Sequence, residues 1–168
     1  TSLVKTIDNY HEIFGIRYAQ FARLSLDFRY FKYIIGENQI ATRFMIGAGI
    51  PYGNSNDMPF EKSFYAGGTN GMRGWAFREL GPGSFNNPQN LNIERIGDIQ
   101  LEFNLEYRFP IHKFIKGAVF TDIGNIWTTR ENETFVGGQF KFDTFYKQLA
   151  ADAGIGLRLD FSFFLIRL

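Results

Sequence analysis

From Asp98 to Phe109 the chain alternates without a break. Asp98, Gln100, Glu102, Asn104, Glu106 and Arg108 are polar, and Ile99, Leu101, Phe103, Leu105, Tyr107 and Phe109 are apolar. Successive side chains leave a β-strand on opposite sides, so a period of two marks a strand with one wet and one dry face and is incompatible with a helix. The pattern returns from Leu149 to Phe161, where Leu149, Ala151, Ala153, Ile155, Leu157, Leu159 and Phe161 oppose Asp152, Gly154, Gly156, Arg158 and Asp160. Two further strands precede these. Ala22, Leu24, Leu26, Phe28 and Tyr30 oppose Arg23, Ser25, Asp27 and Arg29, and Ile40, Phe44, Ile46, Ala48 and Ile50 oppose Gln39, Arg43, Gly47 and Gly49. Gly36-Glu37-Asn38 between them reads as a hairpin turn.

These runs are about 11–13 residues long, against the roughly 5–6 of an ordinary globular strand. A tilted strand that crosses a bilayer needs about 9–11 residues, so the excess length fits a membrane barrel. A soluble sandwich alternates in the same way. Charge favours the barrel: the apolar faces are nearly free of it, and a lipid-facing Lys or Arg costs about 2–4 kcal/mol at mid-membrane. Aromatics supply a second argument. The chain carries 20 Phe and 8 Tyr, and Tyr30, Phe31, Tyr33, Tyr107, Phe109, Trp127, Phe161, Phe163 and Phe164 sit at strand ends, where interfacial girdles form.

Other classes find little support. A net charge of +1 with interleaved signs gives no nucleic-acid footprint. With Cys 0 there is no disulfide framework and no thiolate metal site. No apolar run reaches the roughly 18–20 residues of a spanning helix. No Gly-x-Ser-x-Gly elbow occurs, and Ser84 and Ser162 have no His nearby in sequence. His11 and His112 read as structural or solvated, Glu131 and Glu133 as loop carboxylates. Asp57 and the Asn-rich stretch 84–92 could hold a cation or merely keep a loop soluble. No cofactor or metal is expected, and no enzymatic activity.

The long segment 51–97 contains Phe64-Tyr-Ala-Gly-Gly-Thr-Asn-Gly-Met-Arg-Gly-Trp75. Gly67, Gly68, Gly71 and Gly74 suggest a tight, folded-back path that delivers one cation, Arg73, to a defined place. Its destination can be sought on the strands. If Val119, Thr121, Ile123 and Trp127 face lipid, then Ala118, Phe120, Asp122, Gly124 and Ile126 face inward. Glu106 points inward on the preceding strand, and the short connection 110–114 makes the two strands antiparallel neighbours. Glu106 and Asp122 then either receive Arg73 or simply solvate a polar interior.

Gly67-Gly68 with Met-Arg-Gly-Trp and Gly81-Pro82, Leu-Glu-Tyr-Arg-Phe-Pro-Ile at 105–111, Val-Phe-Thr-Asp-Ile-Gly-Asn-Ile-Trp at 119–127 and Gly-Ile-Gly-Leu-Arg at 154–158 follow one another in order. Together they resemble the barrel of the BamA/TamA outer-membrane assembly family, and residues 145–150 and 161–168 are similar to its Tam-like members in Bacteroidetes. The resemblance implies an all-β, antiparallel transmembrane barrel of sixteen strands preceded by POTRA domains. Residues 1–168 would be a C-terminal part of it, with about five to six strands and without the closing strands. It implies a non-enzymatic factor of the Gram-negative outer membrane that folds and inserts client β-barrel proteins among outer-membrane lipids, with accessory lipoproteins or an inner-membrane partner reached through the POTRA domains. A two-partner secretion pore, which shares the loop, or a simple channel is the alternative. The motif Gly67, Gly68, Arg73, Gly74 and Trp75 would fold into the lumen as a latch, with Arg73 on Glu106 and Asp122 and with Phe120 and Gly124 in support. Trp75 stands where Phe or Tyr is commoner in the family.

Overall fold

The computed structural model describes residues 4–7, 10–86, 93–131, 133–161 and 164–167. Strands β1 (Val4–Ile7), β2 (Tyr10–Ile13) and β3 (Ile16–Arg17) form a small antiparallel sheet, which the alternation analysis did not anticipate. Strands β4 (Phe21–Tyr33), β5 (Gln39–Pro51), β6 (Ile99–His112), β7 (Ile115–Trp127), β8 (Ala150–Phe161) and β9 (Phe164–Arg167) make a six-stranded sheet in sequence order, every neighbour antiparallel. The expected all-β antiparallel fold is therefore the observed one, an open sheet of five long strands and a short sixth.

Each connection has a local cause. Between β4 and β5 the chain turns through Gly36 at φ 58, with the Asn38 amide donating to the Ile35 carbonyl at 3.0 Å. The β6–β7 connection is tighter than expected, because β6 continues through Pro110 to His112. Proline has no amide to give the ladder, and the register shifts between Pro110 and His112. Among its described residues, the long segment between β5 and β6 has only a short 3-10 turn at Phe60–Lys62 and isolated bridges from Phe64 to Gly97 and from Ala66 to Leu80.

That segment lies on the polar face. Phe64, Ala66, Met72 and Leu80 from it, together with Ile126 from β7, form a buried cluster, with Met45, Trp75 and Ala150 packed against it. Two glycines make room: a Cβ on Gly47 would stand 2.3 Å from the Phe64 ring, and one on Gly49 would stand 2.8 Å from the end of Met58. The opposite face of the sheet is bare. Leu24, Phe28, Ile46, Phe103, Val119 and Ile155 are all exposed there, the inverse of a water-soluble core and the arrangement of a lipid-facing wall.

Trp127 departs from this division. The strand alternation sends it to the lipid side, yet it is fully buried. At its upper end β7 outlasts β8, whose pairing stops at Gly124 and Ala150. The 3-10 turn Phe145–Gln148 fills the vacated place. Phe140 and Phe145 pack edge-on against the indole, and its Nε1–H donates to Gln148 Oε1 at 2.7 Å. Trp127 thus belongs to a cap above the strands. Trp127→Ala should cost about 3–5 kcal/mol and lower the temperature at which the full-length protein loses its heat-modifiable gel mobility, whereas Val119→Ala on the bare face should leave it nearly unchanged.

Candidate functional site

The register of β5 to β8 arranges the polar face in rows. Ala41, Glu106, Phe120 and Gly154 form one row, Arg43, Asn104, Asp122 and Asp152 the next, and Met45, Glu102, Gly124 and Ala150 a third. The loop tip comes down on these rows. Gly67 and Gly68 adopt φ 104 and φ 95, the Gly68 amide donates to the Trp75 carbonyl at 2.8 Å, and a Cβ on Gly67 would strike the Ala76 carbonyl at 2.1 Å. Only glycine fits there. The closure makes residues 68–75 a compact projection with Arg73 at its foot.

Arg73 is held from every side. Its Nε and Nη2 donate to Asp122 Oδ2 and Oδ1, each at 2.8 Å, and its Nη1 donates to Glu106 Oε2 at 2.5 Å. The Arg73 backbone amide also donates to Asp122 Oδ2 at 3.1 Å. This two-pronged geometry uses the planar fork of a guanidinium, which an ammonium lacks. Below the fork lies the Phe120 ring, its centroid 3.6 Å from Arg73 Cζ, a cation–π contact. The ring can lie flat because its row neighbour on β8 is Gly154, where a Cβ would stand 2.5 Å from Phe120 Cζ. Gly124 serves a different contact: a Cβ there would strike the Leu101 carbonyl of β6 at 2.5 Å. Trp75 packs against the buried cluster.

The structure therefore brings Arg73, Glu106, Asp122 and Phe120 together and sets Gly67, Gly68 and Gly74 in the loop that carries the arginine. Burial works against the Arg73 charge, but the hydrogen bonds and fields of Asp122 and Glu106 outweigh it and raise the guanidinium pKa above its ordinary value. Asp122 is 0% exposed and Glu106 15%, so these are interior ion pairs in which each partner compensates the other.

Residues that were not singled out complete the network. Glu106 also accepts from Arg108 Nε at 2.6 Å and from Arg158 Nη1 at 3.1 Å. Asn104 Nδ2 bridges Asp122 Oδ1 and the Gly71 carbonyl, both at 3.0 Å. Arg43 Nη1 donates to the Asn70 carbonyl at 2.8 Å, while its Nε binds Asp27. Glu102, 2% exposed, accepts from Gln100 Nε2 at 2.8 Å. All lie on the polar side of the alternation, so their facing was legible, and only the register was needed to group them. Asp57 is exposed, no cluster fit for a metal occurs among the described residues, and positions 87–92 lie outside them.

A model of the Omp85 superfamily domain matches residues 12–168. The chain belongs to the Omp85 superfamily. No curated protein matches it by sequence. Among solved structures it is similar to BamA from Haemophilus ducreyi lacking POTRA domains 1-3, with a TM-score of 0.68 and 20% identity. The match covers 94% of this chain and 32% of that one, so the chain spans about a third of the structure it resembles. At this identity the likeness concerns the fold, and it places the six-stranded sheet as part of a BamA-like barrel.

The ion pairs predict an asymmetric response to substitution. Arg73→Ala leaves Asp122 buried without its counter-charge and should cost about 3–5 kcal/mol in the thermal or denaturant unfolding of the full-length protein. Asp122→Asn in the Arg73→Ala background should recover part of that loss. Additive losses from the two changes would show that they do not share an interaction.

Proposed function

We propose that the chain is part of an outer-membrane assembly factor that folds and inserts client β-barrel proteins, and that Arg73 is the latch fixing its inner loop. The observation that carries this reading is the docking of Arg73 on Asp122 and Glu106, in a member of the Omp85 superfamily whose sheet presents a bare apolar face on its other side. The loop 51–97 then occupies the lumen of a complete barrel, and the apolar face meets lipid in the outer membrane of a Gram-negative bacterium.

No bond is made or broken in this activity. The work consists of lowering the barrier for a client to pair its strands and enter the bilayer, and exposed strand edges are a natural template for such pairing. A latched loop contributes by holding the interior fixed while the seam of the barrel opens. Unfolded outer-membrane proteins are the principal partners, lipids the second, and accessory lipoproteins or an inner-membrane component would act through POTRA domains.

The test is the folding of a purified client barrel into liposomes with and without the full-length protein. The protein should raise the folding rate, and Arg73→Ala should lower that acceleration. An unchanged client folding rate, with passage of an unfolded polypeptide across the same liposomes, would replace assembly with secretion.

A further inference from the structure

Gly74, the residue after the latch arginine, is not needed for φ freedom: it is absent from the residues with positive φ. What it provides is proximity. Its amide donates to Asp152 Oδ2 of β8 at 2.8 Å, and a Cβ added to it would stand 2.7 Å from Asp152 Cβ and 3.0 Å from that same oxygen. The loop backbone lies directly on the Asp152 side chain.

Asp152 is also directly opposite Asp122 in the β7–β8 register. Two carboxylates facing each other on neighbouring strands repel, and such a pair destabilises a sheet. The loop offsets this cost from above by giving successive amides to the two groups, Arg73 N–H to Asp122 and Gly74 N–H to Asp152, while the guanidinium covers Asp122. An acidic residue at 152 is unfavourable for the strand pair alone, and the docked loop offsets part of that cost by giving it the Gly74 amide.

We infer that Asp152 is a third acidic receptor of the loop, a positioning residue that binds the backbone at Gly74 as Asp122 and Glu106 bind the side chain of Arg73, and that residue 74 is glycine to permit this contact. The loop is thereby fixed to β8 as well as to β6 and β7. The inference concerns where the loop sits and stands independently of what the protein inserts or translocates.

Hydrogen exchange of the full-length protein in lipid nanodiscs, read on peptides covering 69–77, tests it without an activity assay. Asp152→Ala should speed exchange there about tenfold or more, the effect of losing a hydrogen bond to a charged acceptor. Asp152→Asn keeps an acceptor oxygen and should hold exchange near the native rate. Gly74→Ala should speed exchange in the native background, and should add nothing in an Asp152→Gly background, where the opposing Cβ is gone. Heat-modifiable mobility of each variant reports that the barrel is folded. Unchanged exchange in folded Asp152→Ala would overturn the inference, as would an Asp152→Asn variant as loose as Asp152→Ala. If Asp152→Ala does not fold, Gly74→Ala with Asp152 in place decides: unchanged exchange over 69–77 in the folded variant overturns the inference, and faster exchange there supports it.

Discussion

The buried contact between the Arg73 fork and the Asp122 carboxylate makes demands on nearly everything around it. A carboxylate with no exposure is tolerable in an interior only when it is compensated, so β7 needs the loop as much as the loop needs β7. For Arg73 to arrive, Gly67 and Gly68 must close the loop on itself. For its charge to be shared, Glu106 must stand one row away on β6, and for the fork to lie flat, Phe120 must find the space left by Gly154. Small residues on the strands and in the loop serve this single approach from both sides.

The polar face behaves as an extended hydrogen-bonded layer more than as a pocket. Arg43 reaches the Asn70 carbonyl, Asn104 reaches the Gly71 carbonyl, and Gln100 reaches the Tyr65 carbonyl. An irregular segment has backbone groups that no ladder satisfies, and buried ones need partners from elsewhere. Here the strands supply them from side chains. The same residues that keep the sheet wet on one side therefore let a long loop without regular structure pack there, while Phe64, Met72 and Leu80 add apolar burial.

Much of this was legible in the sequence, and unevenly so. The four long alternating runs, together with 116–127, gave β4 to β8 because a period of two needs no tertiary information, and the faces of Glu106 and Asp122 followed from parity alone. The small sheet β1–β3 was not legible: its strands are too short to show a period, and it is tied by Asn54, which accepts from the His11 amide and donates to the His11 and Tyr18 carbonyls. Trp127 was misplaced because parity assumes a neighbour on both sides, and β8 stops short of it. Asp152 was assigned to the polar face but not to the site, since its place beside Asp122 depends on the register between β7 and β8. The pairing of Asp152 is with a backbone amide, so no partner side chain marks it in the sequence.

The distribution of the loop's partners across the sheet has a consequence for the order of assembly. Arg43, Asn104, Asp122 and Asp152 belong to four different strands, β5 to β8, and meet in one row only when every register between them is correct. The loop precedes three of those strands in the chain, so it is synthesised before its berth exists. It can settle only after the strands that follow it have paired, and a slip of one residue at any of the three seams would turn a receptor to the lipid side. The fully seated loop is thus a readout of correct strand pairing.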